Sequence, residues 1–262
     1  MTPLLLAWQL AQPVDPGELR PLYEAAVARR GSTQAMRDLA LFLLRQRDFA
    51  GAAEWLRRVV AAEETGADLE ALGDALAGAG RKEEAAAAYE RAGSPDALAK
   101  LAGMLQKEQA IAIYRKALSL QEKATGPNDA KVAVRLNDVA LLTREEALFR
   151  RALAIQEKVY GPRHPEVATT LNNLASLLLE TNRLVEAEAA ARRALSILDA
   201  TLGPRNVRTG VGASNLADVL MARRRLVAAR GLYQRAMLIF EEALGAQHPW
   251  TREAKEAVEH AR

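Results

Sequence analysis

Apolar residues between His164 and Pro204 recur at intervals of three and four, a spacing that places them on one side of an α-helix. The pattern occurs twice, and the polar segment Glu180–Arg183 separates the two occurrences. Because this connection is short, the two helices are predicted to pack side by side as an antiparallel hairpin. The predicted inward residues are Val167, Ala168, Leu171, Leu174, Ala175 and Leu178 in the first helix, and Ala187, Ala191, Ala194, Leu195 and Leu198 in the second.

The hairpin belongs to a repeat of 42 residues, because identical residues return at that interval in two sets of positions. These are Gly161, Gly203 and Gly245, and Ala152, Ala194 and Ala236. A single hairpin cannot bury its own apolar face, whereas stacked hairpins bury it between neighbours. The sequence therefore predicts an all-α fold, an α-solenoid of stacked antiparallel helical hairpins with about six units plus end helices.

The residues of this unit match a known repeat. The unit carries Leu-Asn-Asn-Leu-Ala from position 171, Glu-Ala-Glu from 186, Arg-Arg-Ala-Leu from 192 and Gly-Pro from 203. This pattern resembles the 42-residue tetratricopeptide repeat of kinesin light chains, and the stretch from Leu69 to Pro95 resembles the shorter repeat of the same family. The resemblance implies a tetratricopeptide superhelix. It implies much less about cellular role, because such repeats occur in proteins with unrelated partners.

The chain is predicted to consist of an apolar N-terminal segment, 1–16, and a tetratricopeptide solenoid, 17–262. Residues 1–12 are either part of a signal peptide or a loose apolar segment over the first helix, which is expected from Glu18 to Arg29. Within the solenoid we expect shorter 34-like units at 17–92, compressed irregular units at 93–160, regular 42-residue units at 161–245 and a C-terminal capping helix at 246–262.

The middle of the chain departs from the regular period. The segment Leu136–Ala140 aligns with Leu171–Ala175, but seven residues are missing before Arg144. Helix 130–142 is therefore predicted to be short. We also expect a local change of superhelical pitch in the region 95–150.

Two glycines interrupt the first helix of the next regular unit. Gly210 and Gly212 each cost about 1 kcal/mol relative to alanine inside a helix. That helix is therefore expected to begin raggedly.

Composition excludes some classes of function. The chain has no cysteine, so it forms neither disulfides nor thiolate metal sites. Its 36 basic and 33 acidic residues are interspersed, which gives little support to nucleic-acid binding. Paired basic residues recur at one position of the second helices, where pairing with glutamate is expected; the pairs are Arg57-Arg58, Arg115-Lys116, Arg150-Arg151 and Arg192-Arg193. No apolar run reaches the roughly 18 residues of a membrane span.

Catalytic and metal-binding motifs are not recognisable. His164 and His248 each precede a proline and stand 84 residues apart, twice the period, so they are interpreted as linker residues rather than metal ligands. We find no nucleophile with a supporting base and no phosphate-binding glycine loop. The sequence therefore predicts a protein that is not an enzyme and that uses no cofactor or metal.

Asparagines are the candidate binding residues. Asn137, Asn172, Asn173 and Asn215 fall in two adjacent columns of the first helices, although asparagine is unfavourable in the middle of a helix. In kinesin-light-chain-like arrays the corresponding asparagines contact peptides in the concave groove, and the resemblance implies the same role here. Alternatively, these asparagines belong to the repeat consensus and bond to the adjacent helix. Both interpretations remain open for each residue.

Three further residues complete the predicted peptide-binding set. Asp138 and Ser214 replace asparagines of the motif, and Asp218 follows Ser214 by one helical turn. These departures weaken any transfer of the acidic-peptide preference of kinesin light chains to this chain.

The leading hypothesis is a non-enzymatic scaffold that holds a peptide or a partner helix in its concave groove. The alternatives are an enzyme or a nucleic-acid regulator built on the same scaffold, and a module that self-associates through its end helices. The expected partner is a protein or peptide of unknown identity, with no nucleic acid and no membrane span. The compartment is open, with the cytoplasm favoured unless residues 1–12 form part of a signal peptide and the chain is exported.

Overall fold

The computed structural model describes residues 32–261 together with residues 21, 24, 25, 27 and 28. The predicted apolar segment 1–16 lies outside the described residues. Most of the helix expected from Glu18 to Arg29 lies outside them as well, although its five described residues are helical. One of these, Val27, packs against the apolar core of the helices that follow.

Thirteen α-helices and no β-strand form the secondary structure of residues 32–261, which confirms the all-α fold. Within residues 33–102 and again within residues 130–260, consecutive helices pack against one another as hairpins, the arrangement of a tetratricopeptide-like solenoid. The helices are α1 (Thr33–Arg45), α2 (Phe49–Ala62), α3 (Gly66–Gly78), α4 (Lys82–Ala92), α5 (Pro95–Ala102), α6 (Lys107–Thr125), α7 (Ala130–Thr143), α8 (Glu146–Tyr160), α9 (Pro165–Glu180), α10 (Leu184–Thr201), α11 (Val207–Ala222), α12 (Leu226–Leu244) and α13 (Pro249–His260).

The chain divides into two compact units, and the first extends to Leu120. In this unit α1 pairs with α2 and α3 pairs with α4. Leu39, Leu56 and Tyr89 belong to its buried core. Gly73 of α3 makes room for the aromatic ring of α4, because a Cβ atom there would lie 2.5 Å from Cε1 of Tyr89.

The second unit begins at Gln121 and contains three hairpins, α7 with α8, α9 with α10 and α11 with α12, followed by α13. All eleven inward residues predicted for α9 and α10 are buried. Helix α9 ends at Glu180 and α10 begins at Leu184, as the polar segment between them predicts. The apolar periodicity thus locates both the helices and the turn of the repeat.

The glycines of the 42-residue period occupy the junctions between hairpins. Gly161, Gly203 and Gly245 have φ angles of 88°, 88° and 92°, a region open to glycine because it lacks a Cβ atom. Gly126, 35 residues before Gly161, has the same conformation, with φ at 87°. The shorter interval marks the compressed unit.

Helix caps occupy the position three residues after each of these glycines. His164, Asn206 and His248 are the N-caps of α9, α11 and α13, and each side chain accepts a hydrogen bond from the backbone N–H two residues later. The donor–acceptor distances are 3.2, 2.9 and 3.3 Å. The two histidines therefore have a capping function in the linker.

The ragged start predicted for α11 is wrong. The helix begins regularly at Val207 behind its cap. A Cβ atom on Gly210 would lie 2.7 Å from Cε1 of Phe240, and one on Gly212 would lie 3.0 Å from Cδ1 of Leu198. The glycines provide space for side chains of the neighbouring helices, and packing there offsets their low helix propensity.

The compressed unit is shortened in both of its helices. Helices α7 and α8 have 14 and 15 residues, whereas α9 and α10 have 16 and 18. The turn between α7 and α8 is also shorter, and Arg144 passes through it with φ at 60°. The short helix predicted at 130–142 is observed as Ala130–Thr143. The change of pitch across 95–150 stays a prediction.

The paired arginines of the second helices are bound by carboxylates, partly within a helix and partly between repeats. Arg192 pairs with Glu188 one turn earlier at 2.7 Å, while Arg193 pairs with Glu157 of the preceding repeat at 2.6 Å. Arg150 and Arg151 make the corresponding contacts with Glu146 and Glu122. The pairing with glutamate that the sequence predicts is present, and it also links adjacent repeats.

Candidate functional site

The seven predicted binding residues lie on the first helices of the second unit. These helices are neighbours, since α9 packs against α11 and a side-chain hydrogen bond joins α7 to α9. We call the side of α7, α9 and α11 that carries these residues the first-helix surface. Its predicted members are Asn137 and Asp138 on α7, Asn172 and Asn173 on α9, and Ser214, Asn215 and Asp218 on α11.

Asn137 is bonded within the protein. Its Nδ2 donates to the carbonyl oxygen of Ala133 at 3.1 Å and to Oγ1 of Thr170 at 2.8 Å. Thr170 in turn donates to Oε1 of Gln156 at 2.7 Å, and both of those residues are buried. Asn137 therefore bonds to the adjacent helix, as the second of the two interpretations predicts.

Asn172 is enclosed rather than free. It is only 6% exposed, and its Oδ1 is buried without a hydrogen-bond partner among the described residues. Its Nδ2 faces the backbone of α11, where a Cβ atom on Gly212 would lie 3.6 Å away. A buried acceptor without a donor costs about 1–3 kcal/mol, so a donor that reached this oxygen would be favourable.

Asn173 and Asn215 differ from the other two asparagines. Both are half-buried, and neither side chain has a hydrogen-bond partner among residues 32–261. They occupy the same repeat position, 42 residues apart, on the neighbouring helices α9 and α11. Their amide groups are therefore available to bind another molecule. Ser214, next to Asn215, is half-buried and likewise unbonded within that range.

Asp138 is partly neutralised by its own helix. Its Oδ2 lies 3.1 Å from Nη1 of Arg135 one turn earlier. Burial raises the pKa of Asp138, and the charge of Arg135 opposes part of this rise. Arg135 is thus engaged in an ion pair on its own helix.

Asp218 is held by a tyrosine. The hydroxyl of Tyr233 on α12 donates to Oδ1 of Asp218 at 2.6 Å. Asp218 is exposed, yet loss of solvation around its carboxylate raises its pKa, while the Tyr233 hydrogen bond lowers it in part. The carboxylate is therefore accessible, but it is less well solvated than a free aspartate.

Two exposed apolar residues of α7 were not predicted as part of the site. Val134 and Leu141 are 39% and 43% exposed. They are four residues before and three residues after Asp138, so all three share one side of the helix. Their spacing can be read from the sequence. Apolar residues in the sequence, however, served only to identify the buried side of each helix, and these two lie outside it.

The sequence matches the tetratricopeptide repeat family over residues 20–67, 146–200 and 212–249, which together exceed half of its length. The chain belongs to the tetratricopeptide repeat family. No curated protein sequence matches it.

Solved structures of this fold resemble the tetratricopeptide repeat chain. The crystal structure of BtubC (BKLC) from P. vanneervenii is 22% identical, with a TM-score of 0.62 over 79% of this chain and 94% of that one. The assembly chaperone of RpL4, Acl4, residues 1–338, is 19% identical, with a TM-score of 0.64 over 88% and 95%. At these identities the similarity shows the fold alone.

Kinesin-light-chain-like repeat proteins are also among the similar structures. A Podosopora anserina protein of this type, with nearly identical repeats, is 16% identical over 80% of this chain and 94% of that one, with a TM-score of 0.46.

Two further features were sought in the described part of the tetratricopeptide chain, a metal-binding group and a membrane-spanning helix. No three histidine or acidic side chains there are grouped as a metal site would need. Within the same residues, every helix is too short or too polar to cross a membrane.

Proposed function

We propose that this tetratricopeptide repeat protein is a non-enzymatic scaffold whose first-helix surface binds a peptide or a partner helix. Tetratricopeptide repeats are a typical protein–protein interaction module. The observation that carries the proposal is the pair Asn173 and Asn215, two half-buried amides at one repeat position with no partner among residues 32–261.

The chemistry of the amide group supports a peptide as the ligand. An asparagine side chain donates and accepts hydrogen bonds at the same time, so it can pair with a peptide N–H and C=O irrespective of the peptide side chains. Two such groups on neighbouring helices would hold successive parts of one extended segment. Hydrogen bonds that exist only in the complex also explain why polar residues occupy these positions in the middle of a helix.

Exposed apolar residues on α7 would add apolar contact to the first-helix surface. Val134 and Leu141 on α7 expose apolar area beside Asp138. An interface needs such apolar area, because each hydrogen bond to the partner replaces a hydrogen bond to water and adds little net binding free energy. In arrays of this family the first helices line the concave side, which suits the binding of a rod-like ligand.

A selection experiment with random peptides tests the proposal for a ligand of any sequence. Dodecapeptides displayed on phage are selected on the purified full chain, and the dissociation constants of the enriched peptides are measured by calorimetry. The test variant changes both Asn173 and Asn215 to alanine. Loss of two hydrogen bonds of about 0.5–1.5 kcal/mol each should weaken binding by about 5- to 150-fold.

The matched control is Asn128→Ala, which removes an exposed amide from the linker before α7. Circular dichroism establishes that each variant has the same folded fraction. Equal affinity of the wild type and the double variant would reject the first-helix surface as the binding site. Failure to enrich any peptide would reject peptide binding itself.

A further inference from the structure

The first unit contains a lysine ammonium group held by an aspartate and a tyrosine. Nζ of Lys100 on α5 donates to the two carboxylate oxygens of Asp74 at 2.7 and 2.8 Å. The hydroxyl of Tyr89 donates to Oδ1 of the same carboxylate at 2.8 Å. The Tyr89 ring centroid lies 5.7 Å from Nζ, close enough for a cation–π contact. The group thus offers an alkylammonium both hydrogen bonds and an aromatic face.

The second unit contains the same aspartate–tyrosine pair. Asp218 and Tyr233 are separated by 15 residues, as are Asp74 and Tyr89, and their hydrogen bond of 2.6 Å has the same donor and acceptor atoms. In both cases the aspartate belongs to the first helix of a hairpin and the tyrosine to the second. Both tyrosines are buried, so the phenol fixes the carboxylate in the same way.

The two copies of the aspartate–tyrosine pair, Asp74 with Tyr89 and Asp218 with Tyr233, differ in whether a cation is bound. Among residues 32–261, no lysine or arginine pairs with Asp218, whose hydrogen-bond partner there is Tyr233. The contrast with Glu188 on α10 is informative, because three arginines lower the pKa of that carboxylate against the effect of its burial. The pKa of Asp218 is instead raised. The second copy therefore has the binding groups without the ammonium.

We propose that Asp218 and Tyr233 form a subsite that receives a lysine side chain from the bound peptide. The inference rests on the proposed function, since Asp218 lies on the first-helix surface three residues after Asn215. Ser214 precedes Asp218 by four residues, as Glu70 precedes Asp74, and Glu70 accepts a hydrogen bond from Lys100 at 3.0 Å. The Ser214 hydroxyl oxygen offers an acceptor at the corresponding place.

The ligand is accordingly a segment with a basic residue rather than an acidic one. A carboxylate placed beside Asp218 would meet a like charge at a group that is already poorly solvated. A lysine ammonium would instead complete the arrangement that this chain already forms at Asp74. Lysine is favoured over arginine because the occupied copy holds a compact ammonium at three carboxylate oxygens.

A small-molecule titration tests the subsite directly. The probe is Nα-acetyl-lysine amide, and the comparator is the same compound acetylated at Nε, which has no charge. Backbone amide signals of residues 214–218 are followed by NMR in the full chain. We expect saturable shifts with the charged probe and at least about tenfold weaker binding of the neutral one, the effect of about 1.4 kcal/mol. Equal binding of the two compounds would overturn the proposal.

Three variants sharpen this titration. Asp218→Asn keeps an acceptor for Tyr233 but removes the charge, so it should abolish the saturable shifts. Glu253→Gln, an exposed charge change on α13, should leave them unaltered. Lys100→Ala removes the internal ammonium and its side chain, so the probe should then also shift the signals around Asp74. Unchanged binding by Asp218→Asn, or no new site in folded Lys100→Ala, would contradict the inference.

Peptide selection separates this inference from the proposed function. Peptides enriched on the wild-type chain should share a lysine at one position, and that lysine should be lost from the pool selected on Asp218→Asn while other shared residues persist. Enrichment without a shared lysine would reject the subsite and leave the peptide surface intact. If no peptide is enriched, the proposed function fails, and the titration with acetyl-lysine amide still decides the subsite.

Discussion

Gly210 of α11 lies directly against the ring of Phe240 on α12, so that a Cβ atom on the glycine would come within 2.7 Å of the ring carbon Cε1. Contacts this short force the ring or the helix to move. Gly210→Ala should therefore lower the free energy of unfolding by about 1–3 kcal/mol, although alanine favours the helix. Urea denaturation followed by circular dichroism measures the change.

Gly231 provides the control for this substitution. It lies on the exposed side of α12, and nothing stands within 4 Å of the Cβ atom that alanine would add. Gly231→Ala should raise the free energy of unfolding by up to about 1 kcal/mol. Stabilisation by both changes would mean that the helices of this hairpin do not pack as described.

Glu188 should make the stability of the second unit sensitive to acid. This carboxylate is 8% exposed and pairs with Arg192 at 2.7 Å, with Arg225 at 2.9 Å and with Arg223. Burial by itself would raise its pKa, but the three arginines hold it below the ordinary value of 4.5. The resulting stability is present above about pH 4.5 and is lost as the pH falls through the lowered pKa.

Replacement of the Glu188 carboxylate measures the contribution of its ion pairs to stability at neutral pH. Glu188→Gln should cost about 1.5–3 kcal/mol of unfolding free energy at pH 7, because hydrogen bonds to a charged group are lost. The cost should shrink as the pH is lowered to about 3. Glu242→Gln, whose exposed side chain lies 3.4 Å from Arg205, should change stability by less than about 0.5 kcal/mol. A cost for Glu188→Gln that is independent of pH would contradict the ion pairs.

Leu174 tests the register of the repeat. It is 4% exposed in the core between α9 and its neighbours. Leu174→Ala should cost about 2–5 kcal/mol, measured by urea denaturation, because it removes buried apolar volume and leaves a cavity. A cost near zero would show that this side of α9 does not face the core.

Asn137 and Asn173 should respond differently to the same substitution. Asn137→Ala removes the bond to Thr170 and disturbs the buried chain to Gln156, at a cost of about 1–3 kcal/mol in unfolding free energy. Asn173 has no bond to lose among the described residues, so Asn173→Ala should cost less than about 0.5 kcal/mol. Equal losses would remove the distinction between bonded and available asparagines.

The positions of the helices could be predicted from the sequence, because they depend on the pattern of nearby apolar and polar residues. Apolar residues at intervals of three and four identified the inward side of α9 and α10, and the polar residues from Glu180 to Arg183 identified their turn. The period of the glycines likewise identified the junctions, where φ is positive.

The details of the site depend on contacts between distant residues, which no local pattern contains. Asn137 and Asn173 have the same side chain in adjacent columns, yet only Asn137 meets a hydroxyl, that of Thr170, 33 residues away on the first helix of the next hairpin. Helix propensity predicts that Gly210 weakens its helix, but the neighbouring ring of Phe240 determines its role. Neither relationship could be predicted before the helices were placed beside one another.

The amide groups of Asn173 and Asn215 provide the most direct test of the central claim, that the first-helix surface binds a peptide. Their side-chain NH₂ signals are followed by NMR while a peptide selected on the chain is added, with Asn128 as the internal reference. We predict that the signals of Asn173 and Asn215 shift and saturate together with peptide occupancy, and that Asn128 does not respond. Saturation of binding with both amide signals unmoved would contradict the account.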